Sequence, residues 1–336
     1  IEGGTAQALL YGVYHFSEKY LGVGYYLHGD VIPDRRLAGL SLEGIDENHK
    51  PLFRTRGILP FHDFPEGPDW WGLEGYKAIL SQLPKLKMNF IGMHTYPQAP
   101  HYPGGHYQAE PLVWIGKEED IHKGGNVKRA YPVLHFQTGH DTWGYAPRKT
   151  SDYSCGASLL FEKDFYGASY MQGISDWPHT DEENLEIFNA HGALIKNAFS
   201  FARSLGVKTC IGTEVPLSIP DELEASHGKA DEKLVQAYYE GMFERIQQCH
   251  PLDYFWLWTG ENWTWQDIPD EEVDRVSKDM VIAAKALENS DAEFQLATCG
   301  WVLGPARDRA EFDRLLSRDI PFSCINREVG WDYIEP

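Results

Sequence analysis

Two hydrophobic rhythms alternate along this chain, and that alternation restricts the fold more than any other feature. Amphipathic stripes with i, i+3/i+4 spacing run through Leu9, Leu10, Val13, Phe16 and Tyr20, and through Leu73, Tyr76, Ile79, Leu80 and Leu83. Others run through Leu185, Phe188, Ile195, Phe199 and Ala202, through Val235, Tyr238, Tyr239, Met242, Phe243 and Ile246, and through Val273, Val276, Met280, Ala284 and Leu287. Each spacing predicts a helix. Between them lie short continuous apolar runs at 57–61, 89–93, 208–212, 254–258, 294–298 and 322–325, each ending in a polar, aromatic or glycine-containing tip. Continuous apolar strands alternating with helices predict a parallel sheet in an α/β fold.

An open doubly wound sheet concentrates its polar groups at one switch point, whereas a barrel builds one site from all its βα loops. Because nearly every tip here carries polar or aromatic groups, a TIM-like (β/α)8 barrel is expected. Residues 54–336 form it, with a long insertion at about 98–180, and residues 1–53 precede it as a small α/β accessory domain. Six strands are visible before Pro336, so either a strand is concealed in 107–180 or the barrel is incomplete in this chain. The insertion is rich in Gly, Pro, His and aromatic residues. A loop of that length is functional or disordered, and its aromatic content predicts a pocket wall.

Composition narrows the function. A formal net charge of −20 disfavours nucleic acid and anionic membranes, and no apolar run approaches the ~18 residues of a membrane span. No glycine-rich phosphate motif is present, so no nucleotide cofactor is expected, nor any other cofactor. The five cysteines, Cys155, Cys210, Cys249, Cys299 and Cys324, lack metal-binding spacing; Cys210, Cys299 and Cys324 sit in apolar runs, where buried free thiols are expected. No structural zinc site is expected. The chain begins without Met, inside what reads as an ongoing element, and shows no signal peptide, so a processed or truncated polypeptide is expected. The 11 Trp and 18 Tyr crowd near strand tips, where flat rings can stack on the apolar faces of sugars.

The most specific local pattern is Asp253–Trp265, DYFWLWTGENWTW. It places Glu261 and Asn262 after an apolar strand, with Trp256, Trp258, Trp263 and Trp265 around them. A carboxyl enclosed by indoles is desolvated and stays protonated, as a general acid must; the plainer reading is a salt-bridged or capping residue. Glu214, at the tip of KTCIGTEVP, is a second carboxylate one βα unit earlier. Adjacent strands place such tips roughly 5–10 Å apart, the range for an acid and base pair. Its alternative role is to hold a substrate hydroxyl. Glu328 and Asp332 in the last segment are further candidates for base or nucleophile. His62, Asp63, His94 and Tyr96 follow the first two strands, with Trp70 and Trp71 as candidate walls. They are expected to hydrogen-bond sugar hydroxyls, and Trp258, Trp263 and Trp301 to supply stacking faces. A metal-dependent hydrolase needs paired His on the first strand and more on later ones; the later tips carry Glu and Trp, so no catalytic metal is expected.

Two stretches resemble a known group. GTAQALLYGVYHFSEKYLGVGYYLHGDVIP (4–33) carries Tyr11-Gly12, Tyr14, Ser17-Glu18, Leu21-Gly22-Val23, Tyr25-Tyr26 and Asp30 with Pro33. It resembles the small α/β domain preceding the barrel in α-glucuronidases of glycoside hydrolase families 67 and 115 and, more loosely, the accessory domain of family 20 hexosaminidases. RTRGILPFHDFP (54–65) is similar to the first barrel strand of that group, and LGVKTCIGTEVP (205–216) to its third, with a glutamate–proline tip. The likeness spans 4–97 and 205–262. The tip His62-Asp63-Phe64 departs from the acidic run of family 115, and no uronate-binding Arg/Lys set is assigned. The resemblance implies an exo-acting glycoside hydrolase on a plant or algal glycan, uronic-acid-containing in the nearest families, with its acid on the fourth strand; by count, that strand carries Glu261. The expected partner is thus a carbohydrate and the expected location secreted or periplasmic. The expected alternatives are a non-catalytic saccharide-binding barrel and a metal-dependent hydrolase.

Overall fold

The computed structural model describes residues 1–34, 38–60, 68, 71–97, 110–133, 180–264, 266–300, 302 and 304–323. The fold is mixed α/β. A helix α1 (Ala6–Phe16), capped by the Thr5 hydroxyl on Ala8 N at 3.0 Å, runs into a single π turn, Ser17–Leu21. An antiparallel hairpin follows, β1 (Gly24–Tyr26) with β2 (Gly29–Val31). Five parallel strands then form one sheet: β3 (Gly57–Ile58), β4 (Phe90–His94), β5 (Lys208–Glu214), β6 (Tyr254–Thr259) and β7 (Gln295–Gly300). Their spatial order is their chain order, without a reversal. A parallel bridge from Thr298 to Phe322 adds one more pairing at the β7 edge.

The helical stripes fold as their spacing predicts. They become α2 (Leu73–Lys85), α3 (Asp181–Ser204), α5 (Glu232–Cys249) and α6 (Asp270–Asn289). Two shorter helices, α4 (Asp221–His227) and α7 (Glu311–Leu315), have no comparable stripe. Local chemistry sets the ends. Thr180 and Glu183 form a reciprocal capping box at the start of α3, and the Asp231 carboxylate caps α5 through Leu234 N at 2.9 Å. α3 stops at Leu205 followed by Gly206, whose φ of +72° is cheap for a residue without Cβ.

The two faces of the sheet differ in what they bury. Ile91, Met93, Ile211, Phe255, Leu257 and Leu296 share one core with the apolar stripes of α2, α3, α5 and α6, so all four long helices cover the same face. Phe243 of α5 is central there, its ring 5.3 Å from Phe255, 5.5 Å from Phe294 and 5.6 Å from Tyr239. The alternate residues, Cys210, Trp256, Trp258, Ala297 and Cys299, make a separate cluster with Leu59, Phe90 and Tyr254, without a helix residue among those described. Register explains how the indole of Trp256 fits in it. Gly92 lies beside Cys210, and Gly212 beside Trp256. A Cβ at Gly92 would come 2.1 Å from Trp256 Cη2, and one at Gly212 would come 2.4 Å from Trp256 Cβ. Both glycines are therefore required by close approach rather than by a turn.

Residues 1–53 dock on the end of the sheet where strands begin. Tyr11 Oη donates to Met88 O at 3.0 Å, Gln7 Nε2 donates to Gly206 O at 2.8 Å, and Lys85 pairs with Asp30 at 2.6 Å. Residues 110–133 of the 98–180 excursion enter the helix-side core through Leu112, Val113, Ile115 and Val133. They are tied there by Arg245, a buried guanidinium donating to Phe188 O (2.7 Å) and Gly125 O (3.3 Å). The remainder of that excursion lies outside the described residues.

Truncating the central ring tests this packing. Phe243→Ala should lower the unfolding free energy by roughly 3–5 kcal/mol, from lost burial and the cavity left behind. The shift in denaturant midpoint measures it, and a loss below about 1 kcal/mol would contradict the core described.

Candidate functional site

The carboxyl-terminal end of the sheet gathers most of the described site candidates. Side chains alternate along a strand, so Gly92, His94 and, just past the strand, Tyr96 follow one line. Cys210, Gly212 and Glu214 continue it on β5, and Trp256 and Trp258 on β6. Register places His94 beside Gly212, and Glu214 beside Trp258. The His94 ring lies 4.6 Å from Trp258 and 5.0 Å from Tyr96, edge-on to the latter. Tyr96 Oη donates to Glu214 Oε1 at 3.0 Å. Glu214 is half-buried, whereas His94 and Trp258 are buried.

Tyr96 is itself held from behind. Glu110, a buried carboxylate, accepts from Thr95 Oγ1 and from the Tyr96 backbone N–H, both at 2.9 Å, while Glu110 N donates to Tyr96 O at 3.1 Å. The turn after Glu214 is pinned as well. Val215 N donates to Trp258 O at 2.8 Å, and Leu217 N to Asp279 Oδ2 at 3.2 Å. Asp279, on α6, also receives Tyr239 Oη at 2.6 Å. Burial raises the Asp279 carboxyl from 3.8 to about 6, against the two donors, which favour its charged form. The indole N–H of Trp258 is buried and has no hydrogen-bond partner among the described residues.

Other candidates stand elsewhere. Glu261 opens a one-turn helix, Glu261–Thr264, directly after β6, and its side chain is exposed. Of the indoles named around it, Trp256, Trp258 and Trp263 are buried, and Trp265 lies outside the described residues. Trp263 is 1% exposed and packs 5.7 Å from Phe312, and Trp258 is 2% exposed. Both rings are core residues rather than open stacking faces. An indole's large apolar surface favours burial whether or not a ligand is near, so a Trp-rich sequence does not distinguish the two. Asn262 is half-buried beside Gly260. Trp71 packs edge-on against Tyr76 at 5.3 Å. His62, Asp63, Trp70, Trp265, Trp301, Glu328 and Asp332 lie outside the described residues.

Glu110 and Asp279 have no place among the sequence candidates. Asp279 carried a readable signal, since it falls at the inward position between Val276 and Met280 on an otherwise apolar stripe. Glu110 had none, embedded as it is in a segment without periodicity. Among the described residues the sequence-based candidates that meet are thus His94, Tyr96, Glu214 and Trp258.

The arrangement offers a fixed carboxylate. One oxygen of Glu214 is engaged by the phenol of Tyr96, whose backbone is held by two hydrogen bonds to Glu110, and the buried indole N–H lies on the neighbouring strand. Such a group can accept from a substrate hydroxyl, take a proton or act as a nucleophile.

The latch behind this tip makes stability depend on pH in a definite direction. The folded chain keeps the Asp279 proton up to about 6, whereas the unfolded chain loses it near 3.8. The contribution of neutral Asp279 is therefore fully present below 3.8 and lost as pH rises through about 6. Against Asp279→Asn, which stays neutral, the wild-type chain should lose on the order of 3 kcal/mol across that window. Urea denaturation of both proteins along the pH series measures it, and a pH-independent gap would contradict the latch.

Comparison with known proteins adds no relative: no family model matches the chain, and neither a curated protein nor a solved structure matches it at a significant level.

Proposed function

We propose that the chain is a glycoside hydrolase whose reaction centre lies at Glu214. The observation that carries this is the Tyr96–Glu214 hydrogen bond of 3.0 Å at the end of a parallel sheet, beside His94 and Trp258. A phenol donating to one carboxylate oxygen favours the anion and orients the other oxygen. That suits a nucleophile, or a base that activates water. Glu261, exposed three residues beyond Trp258, is the proposed general acid at the rim. The retained or inverted outcome depends on whether the two carboxyls stand about 5–5.5 Å apart or farther.

The wider architecture is proposed to be a TIM-like (β/α)8 barrel. Supporting it are the chain-order strand sequence, the placement of all four long helices on one face, and the Phe322 bridge at the β7 edge. Ligands of such folds bind at the carboxyl ends of the strands, where Glu214 stands. The polysaccharide or oligosaccharide substrate, with a uronic-acid-containing glycan as the first to try, follows from the resemblance of residues 4–97 and 205–262. A secreted or periplasmic location follows from that substrate class. No helix among the described residues is long and apolar enough to cross a membrane.

A second reading is a non-catalytic saccharide-binding protein, favoured by the exposure of Glu261. A screen of plant and algal glycans with product analysis, run on wild type, Glu214→Gln and Glu261→Gln, separates the two. Under the hydrolase reading Glu214→Gln should lose at least ~10³-fold in kcat while keeping glycan affinity, and Glu261→Gln should lose about 10²–10⁴-fold. Glycan binding without products in the wild type would favour the binding module, and full turnover in Glu214→Gln would remove Glu214 from the centre.

A further inference from the structure

We propose that His15, Glu47 and His49 form a binding site for one divalent transition-metal ion, with Zn²⁺ the best match. His15 Nε2 lies 3.0 Å and His49 Nε2 2.9 Å from the same oxygen, Glu47 Oε2. The three ligand atoms all fall within 4.8 Å of one another. Tetrahedral coordination with bonds of about 2.0–2.1 Å has ligand–ligand edges of roughly 3.3–3.4 Å. The two observed edges are within a few tenths of an ångström of that, and only the His–His edge needs adjustment. Two imidazoles and one carboxylate are a borderline donor set, suited to Zn²⁺, Co²⁺ or Ni²⁺ and poor for Ca²⁺ or Mg²⁺.

The surroundings fit a ligand set. Glu47 and His49 are two residues apart, and their side chains meet at 2.9 Å. His15 lies on α1, just before the π turn that supplies Lys19 and Tyr20. The other carboxylate oxygen, Glu47 Oε1, is engaged by Lys19 and Tyr20 from the following π turn. Outer-shell donors of this kind fix a metal-bound carboxylate in monodentate geometry. The rings of His15 and His49 approach to 4.5 Å, and all three ligands remain reachable from solvent. The site would clip the stretch around 47–49 onto α1. Three protein ligands are present among the described residues, and a water can complete the shell. It lies on the accessory segment and is independent of the reading of Glu214.

Titration of the whole chain, freed of metal by a chelator, with Co²⁺ and then Zn²⁺ tests this. One equivalent should bind, with the visible ligand-field bands of four- or five-coordinate Co²⁺ lost on Zn²⁺ addition. Affinity should fall at least about tenfold in His15→Ala, His49→Ala and Glu47→Gln, and by a similar factor in Lys19→Ala. His122→Ala, an exposed histidine on another segment, should bind as wild type. The substituted residues lie outside both cores, and an unchanged near-ultraviolet spectrum shows that each variant is folded. Absence of stoichiometric uptake, or uptake equal in wild type and the three ligand variants, would overturn the site.

Discussion

A parallel strand must satisfy two unlike surfaces at once, and the rest of this molecule follows from how five strands do so. One set of alternate residues, from Ile91 to Leu296, is aliphatic or aromatic and accepts the stripes of four helices. The other set makes room for Trp256 by giving up side chains altogether at Gly92 and Gly212. Trp256 then occupies the space between strands, Trp258 follows it toward the tips, and His94 packs on Trp258. The chemistry-bearing end of the sheet is an extension of that packing.

The helices and strands were readable because their periods differ, 3.6 against a continuous run, and because tertiary packing agrees with local preference throughout α2, α3, α5 and α6. Strand ends were less so. The readings at 208–212 and 254–258 stop before residues that still pair, Thr213 and Glu214 on β5 and Thr259 on β6, because the pattern weakens when a polar side chain occupies the last position of a strand. The hairpin at Gly24–Val31 escaped notice since its strands are only three residues long. At the site, Glu214, His94 and Tyr96 were legible as polar groups at apolar strand ends. The role of the indoles was not legible, because desolvating a ligand and filling a core ask for the same side chain. The clamp on Tyr96 and the latch on Leu217 were not legible, since each joins residues whose proximity exists only after folding.

Support behind the candidate carboxylate comes from three directions. Glu110 fixes the backbone and neighbour of Tyr96, Trp258 O receives Val215 N, and Asp279 holds Leu217 from the helix layer. A functional group placed on a strand end and braced by such secondary contacts is better oriented than one on an unsupported loop. Glu261 lacks comparable bracing among the described contacts, and the two acids therefore differ in how firmly the protein alone can aim them.

The attachment of the first helix is written in a different alphabet from the rest of the fold. Gln7 and Tyr11 reach for Gly206 O and Met88 O, which are main-chain acceptors. At position 88 the acceptor survives a change of side chain, whereas at 206 a Cβ would meet Gln7 Nε2 at 3.0 Å, so the glycine is part of the recognition. The amino-terminal unit is thus held in two vocabularies, main-chain carbonyls on one side and the Lys85–Asp30 ion pair on the other.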